Sequence, residues 1–197
     1  MTVFIAQYYS SRLNLEKLKE KLVIREATYK DVYRIYIFFL LLDRDPHARK
    51  FYRYMQCYTL KDKIFTLMSL LINLGLRRIT QALLKRYYIA IICLLGGHVV
   101  GICHISLNLR KREGVYGIAI LRCCRGHGLG YRVSLLSITL AKKWGIRKIN
   151  LSVDVDNYKA IRLYKKLGFN IVKKVIKGDY RPQTREYVDY YVMVKYI

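Results

Sequence analysis

Acidic residues are scarce in this chain: 13 Asp and Glu stand against 37 Lys and Arg, a formal net charge of +24. A field of that sign repels a polyamine or any other polycation and favours an anionic partner, whether nucleic acid, a ribosomal surface, an anionic membrane or a polyphosphate-bearing ligand. Proline is rarer still, with 2 among 197 residues, and no proline-rich or serine-rich linker divides the chain. That length suits one domain. Apolar residues make up 53 %, which excludes a disordered or low-complexity protein.

Paired cysteines are also missing. The five present (Cys57, Cys93, Cys103, Cys123, Cys124) are odd in number and none sits at zinc-ligand spacing, so reduced intracellular thiols and no metal are expected. Residues 1–10 lack a basic start and a long apolar run, so a secretory signal is not expected and the cytoplasm is the default location. One long uncharged stretch exists, Tyr87 to Leu109. Gly96-Gly97-His98 interrupts it between two runs rich in β-branched residues, Tyr88–Leu95 and Val99–Leu107, which predicts two strands joined by a tight turn rather than a membrane span.

The periodicity predicts a leucine-bearing helix over 11–22 as part of an N-terminal extension, residues 1–21. A short strand follows at Leu22–Arg25, then Thr28 and Asp31 three apart, the start signal of a helix from Tyr29 to about Leu42. Asp43-Arg44-Asp45-Pro46 breaks it. Residues 47–86 read as an enlarged helical block, with segments near Ala48–Thr59, Leu60–Leu74 and Leu76–Arg86. Aromatic and basic residues interleave over 49–58, a pattern that stacks on and pairs with nucleic acid, or equally a tyrosine-rich core face with snorkelling cations. From residue 87 the period shortens: strands at Tyr88–Leu95, Val99–Leu109 and Val115–Leu121, a helix at Leu129–Trp144, a strand at Lys148–Val153, a helix at Asn157–Leu167, then strands at Phe169–Ile176 and Glu186–Lys195. That order predicts an α/β (α+β) fold with a mixed sheet.

Arg125-Gly126-His127-Gly128-Leu129-Gly130 lies directly between an apolar strand and an amphipathic helix. A glycine turn opening a helix leaves backbone amides free at the positive end of the helix dipole, which suits a pyrophosphate. No Lys-Ser or Lys-Thr follows Gly130, so a Walker loop is excluded, and three meander strands precede the glycines, which a dinucleotide fold does not allow. The pattern met is Arg-x-x-Gly-x-Gly, by Arg125, Gly128 and Gly130, and downstream comes Asn157-x-x-Ala160-x-x-x-Tyr164-x-x-x-Gly168-Phe169.

In these two elements, in this order, the sequence resembles the GCN5-related N-acetyltransferase (GNAT) superfamily, over roughly residues 22–197 and most clearly over 99–176. The resemblance implies a mostly antiparallel central sheet flanked by helices, with 47–86 as an enlarged helical segment before the second strand. It implies acetyl-CoA as cosubstrate, its pyrophosphate on the loop Arg125, Gly126, His127, Gly128, Leu129 and Gly130. By the same resemblance the backbone of Ile118 and Ile120 pairs with the pantetheine arm, Asn157 lies near it, and the Tyr164 hydroxyl is the general acid for the departing thiolate.

The family's usual strand glutamate falls on Gly114 here, so the neighbouring Glu113 is the candidate base, with His104, Tyr116 or a water chain as alternatives. The implied activity is transfer of an acetyl group to a primary amine by direct attack in a ternary complex. A protein N-terminus or lysine is the favoured acceptor, and an acidic or RNA-associated partner suits the charge. Two other readings stand beside it: a basic nucleic-acid or ribosome-binding module, and a GNAT scaffold that binds coenzyme A without turnover.

Overall fold

The computed structural model describes residues 22–51, 67–181 and 185–197. The expected extension over 1–21, and the part of the helical block and aromatic-basic segment within 52–66, lie outside the described residues.

The first described elements are strand β1 (Leu22–Glu26), a 3-10 turn at Tyr29–Asp31 and helix α1 (Val32–Leu42). Thr28 and Asp31 form the capping box their spacing predicts, with the Thr28 amide donating to Asp31 Oδ2 at 2.9 Å. Asp31 is held twice over, because the Arg25 guanidinium donates to both its oxygens at 2.7 Å. Val32, Ile35, Phe39 and Leu42 recur at helical spacing and are buried. Helix α2 (Pro46–Phe51) follows the Asp-Pro break, with proline at its first position where a missing amide costs nothing. Further on come a π-helical turn at Leu71–Gly75 and helix α3 (Arg77–Leu84).

Arg86, expected to end a helix, instead begins strand β2 (Arg86–Leu95), because Lys85 adopts a positive φ of 52° that stops α3. Strand β3 (His98–Asn108) returns antiparallel after Gly96 and Gly97, whose φ values of 56° and 81° are those a two-residue hairpin demands. Both strands are sealed almost end to end, since α4 (Leu129–Lys143) packs on one face and α1 and α3 pack on β3 and β2 from the other. This double burial accounts for the uncharged stretch Tyr87–Leu109. No helix among the described residues is long and apolar enough to cross a membrane.

Strand β4 (Glu113–Ile120), β5 (Lys148–Asp154), helix α5 (Tyr158–Lys166), β6 (Asn170–Arg181) and β7 (Glu186–Tyr196) complete the chain. Strand β6 runs past the expected end at Ile176, with a register irregularity between Val175 and Asp179. The seven strands among the described residues form one sheet in the order β1-β2-β3-β4-β5-β7-β6, antiparallel throughout except where β4 meets β5. This is the mostly antiparallel sheet flanked by helices that the resemblance implied.

Candidate active site

The parallel pair is short. β4 and β5 are joined only at Glu113–Lys148, Gly114–Ile149 and Val115–Asn150, although β4 continues to Ile120 and β5 to Asp154. Beyond Val115 the sheet opens. Leu121 N donates to Val100 O at 2.9 Å, which fixes the alternation along β4: its odd residues bond to β3 and its even ones face β5, so past the last bonded pair the Ile118 backbone and the Ile120 amide face the gap.

The glycine loop stands at the mouth of this gap. Gly126 and Gly128 have φ of 85° and 74°, conformations that L side chains seldom adopt, and Gly128 is the residue that starts α4 without any side-chain cap. The first intrahelical bond is Arg132 N to Gly128 O at 3.2 Å, so the amides of Leu129, Gly130 and Tyr131 lie outside the helix ladder. A Cβ on Gly130 would stand 3.4 Å from Leu163 Cδ2 and 3.6 Å from Ile118 Cδ1, ordinary contact distances that place α4, α5 and β4 together at this point. The first turn of α4 holds no acid, and Lys142 and Lys143 occupy its last, so the dipole faces the mouth with its positive end unopposed. A cradle of free amides, glycine backbone and an open strand edge fits the pyrophosphate and amide-bearing arm of coenzyme A.

Arg125, expected beside the pyrophosphate, is turned the other way. Its Nε donates to Ile120 O at 2.8 Å, its Nη2 to Asp45 Oδ2 at 2.5 Å, and its Nη1 lies 3.3 Å from His47 Nδ1. Asp45 is only 8 % exposed, so the guanidinium serves as a clamp between the end of β4 and the start of α2. At its other end α2 is tied to β5 and β6: Lys50 Nζ reaches Asp156 Oδ2 at 2.9 Å, and Arg181 bonds Asp156 at 2.7 Å and Asp154 at 2.5 Å. The Arg181 guanidinium also lies over the Phe51 ring, 5.2 Å from its centroid. Helix α2 thus spans the two banks of the gap. Sequence reasoning missed these ties, because the partners lie far apart in the chain and no local pattern marks them.

Tyr164 is 8 % exposed, on the buried side of α5, its ring edge-on to Tyr116 at 5.6 Å and to Phe169 at 6.1 Å. Its hydroxyl has no hydrogen-bond partner among the described residues, and burial pushes its pKa up, so it carries its proton at neutral pH. Tyr116 is spent structurally. Its hydroxyl shares a 2.5 Å hydrogen bond with Ser134 Oγ, which in turn donates to Gly130 O at 2.5 Å, linking β4 to the loop. Burial holds the Tyr116 phenol well above its usual range.

Asn157 accepts from the Ala160 amide at 3.4 Å and caps α5. Glu113 sits at the closed end of the pair, ion-paired with Lys148 Nζ at 3.2 Å, on the sheet face opposite Tyr164. Gly114 cannot carry a side chain as packed, since a Cβ would fall 2.7 Å from Ile105 Cγ2. His104, on the face away from α4, stacks on Tyr88 at 5.6 Å and overlies Gly117, where a Cβ would meet its ring at 2.5 Å. Burial pushes the His104 pKa down to about 4, so the imidazole is neutral. Cys123 and Cys124, with sulfurs 3.6 Å apart, occupy the 3-10 turn before the loop; their hydrogen bond lowers the Cys123 thiol. No group of three metal-binding side chains occurs among the described residues.

A sheet opened beside a glycine-started helix defines an acyltransferase type of fold and site. Residues 75–169 match the acetyltransferase (GNAT) family. An N-acetyltransferase of Methanocaldococcus jannaschii is 38 % identical over 100 residues, 48 % of this chain and 44 % of that protein. The chain thus matches less than half the length of that curated relative. Among solved structures, a GNAT-family acetyltransferase of Streptococcus pneumoniae is 26 % identical with a TM-score of 0.69, over 89 % of this chain and 99 % of that one. An acetyltransferase of Salmonella typhimurium, solved with its cofactor acetyl-CoA, shares the fold at 17 % identity and a TM-score of 0.67, over 89 % and 93 %. The chain thus has the fold of GNAT-family acetyltransferases and matches their family model over just under half of its length.

Proposed function

We propose that this protein transfers an acetyl group from acetyl-CoA to a primary amine. The observation that carries the reading is the β4–β5 pairing that stops at Val115 and Asn150 beneath the glycine start of α4. Acetyl-CoA supplies the activated acyl thioester. The amides of Gly126 to Tyr131 take the pyrophosphate, the Ile118 backbone and the Ile120 amide pair with the pantetheine arm, and an Ile118 or Ile120 amide polarises the thioester carbonyl, the Ile120 carbonyl being held by Arg125. Tyr164, kept protonated by its burial, gives its proton to the departing thiolate. Arg125, Asn157 and Ser134 position the loop, the helix α5 and the strand rather than meeting the reacting atoms.

The amine loses its proton to water on the acceptor face rather than to Glu113, which Lys148 holds at the closed end of the strand pair. His104, enclosed between Tyr88 and Gly117, is uncharged, and its low basicity limits it to a weak proton acceptor. Asp45, Asp154 and Asp156 around α2 are each matched by Arg125, Arg181 or Lys50, which leaves them little hold on a polycation. This favours a single amine on a protein, an N-terminus or a lysine, over a polyamine. The test is release of the coenzyme A thiol with peptide N-termini, lysine peptides and polyamines as acceptors. Turnover with a polyamine and none with peptides would reverse the acceptor assignment.

The absence of a side chain at Gly114 favours one other reading, a scaffold that binds coenzyme A without turnover. It predicts binding of acetyl-CoA with no thiol release from any amine.

A further inference from the structure

The end of the sheet opposite the glycine loop concentrates positive charge with almost nothing to balance it. The β3–β4 turn presents Arg110, Lys111 and Arg112 in succession, all exposed, and Lys85 and Arg86 stand beside it where β2 begins. Lys142 and Lys143 close α4 at the same end, and Arg147 follows them before β5. These cations are drawn together by backbone bonds rather than by sequence proximity. The Arg112 carbonyl accepts the amides of Arg147 at 2.8 Å and Lys148 at 3.3 Å, and the Lys85 carbonyl accepts that of Leu109 at 2.9 Å. Both accepting residues hold positive φ, 55° at Arg112 and 52° at Lys85, a conformation uncommon outside glycine that these bonds keep in place.

Among the described residues none of these eight side chains forms an ion pair, whereas Lys148 beside them is taken by Glu113. The rings of Tyr87 and Trp144 stack at 4.2 Å, half-buried, under the same end. The eight residues of β4 separate this pole from the mouth of the gap by about 25 Å at the usual strand rise. It is therefore a second surface, and it does not depend on the acetyl-transfer reading.

We infer that this pole is a binding surface for the phosphodiester backbone of a nucleic acid, read by charge and not by base sequence. Four of the eight cations are arginines, whose planar forks bond two phosphate oxygens at once. Leu83 and Leu84 are exposed beside Lys85, but the β3–β4 and α4–β5 turns, which carry six of the eight cations, expose no large apolar side chain, so charge rather than an apolar wedge dominates the pole and a bilayer is less well served. With half of the eight each neutralising one phosphate of a single strand, the log-log salt slope is about −3, a roughly fifty-fold loss of affinity between 50 and 200 mM salt.

The test is fluorescence anisotropy of a labelled 20-nucleotide single-stranded RNA of mixed sequence against the full chain, titrated at several salt concentrations. The triple variant Arg110→Gln, Lys111→Gln, Lys143→Gln is compared with Lys165→Gln, Lys173→Gln, Lys177→Gln, which removes the same charge from α5 and β6. The pole variant is expected to bind at least tenfold more weakly, with the slope shallower by about 2. The control should stay within threefold of the parent. Equal losses in the two variants would overturn the assignment in favour of diffuse charge. So would an unchanged slope in the pole variant, or phosphatidylserine vesicles or polyglutamate binding the pole more tightly than RNA. A thermal shift with acetyl-CoA, measured on the same samples, reports folding and cofactor binding separately.

Discussion

Lowering the pH should weaken this fold through His104 before most carboxylates are protonated. The imidazole is enclosed between Tyr88 and Gly117, and burial depresses its pKa from 6.5 to about 4. In the unfolded chain it takes up a proton as the pH falls through 6.5; in the native protein it does not until about 4. The unfolded state holds more protons across that window, so stability falls as the pH falls within it and levels off below it. At pH 4.5 the loss amounts to about 2.5 kcal/mol, from 1.36 kcal/mol per pKa unit. His47 is also depressed, by burial first and Arg125 second, and acts in the same direction, so the histidines must be separated by substitution. Urea unfolding of the parent and His104→Gln at pH 7.5, 5.5 and 4.5 gives the comparison. The parent should lose about 2.5 kcal/mol more than the variant between the extremes. Parallel losses, or a His104 titration near 6.5 by NMR, would refute the reasoning.

Other substitutions bear on separate parts of the structure. Tyr164→Phe should lower kcat by 10²- to 10⁴-fold with an unchanged melting temperature and acetyl-CoA affinity, and a loss of only a few-fold would remove the phenol from the mechanism. Gly114→Ala should destabilise by about 1–3 kcal/mol, read in a urea melt, because its Cβ collides with the Ile105 methyl on a strand that packing holds still. A double-mutant cycle of Arg125→Met and Asp45→Asn should return a coupling of about 1–3 kcal/mol, and additive effects would show that the clamp is no more than a surface contact.

The arrangement of the sheet was legible because its strands report burial directly. Tyr88–Leu95 and Val99–Leu107 run without charge since both faces are covered, and the two glycines between them supply the positive φ the hairpin needs. The glycine loop was legible for a similar local reason, its strand and helix lying on either side in sequence. Lys85 hid the start of β2, because a lysine at positive φ leaves no compositional mark. What could not be read was the set of long-range ties. Arg125 carries the first position of the loop motif, yet its partner Asp45 lies 80 residues earlier, and only the folded chain shows that the side chain is spent there. Arg181 likewise reaches back 27 residues to Asp154. Asn157 fitted its motif, while its side chain is occupied in capping α5.

Calorimetric titration of acetyl-CoA into the purified chain and into Gly128→Glu, at moderate salt, tests the central claim most directly. The variant places a carboxylate at the open glycine mouth, where a Cβ meets no other atom within 4 Å. One-to-one binding by the parent, weakened at least a hundredfold in a variant that still unfolds cooperatively, is the predicted result. Undetectable binding by the parent, or equal binding by both proteins, would contradict the placement of the cosubstrate between β4, β5 and the start of α4.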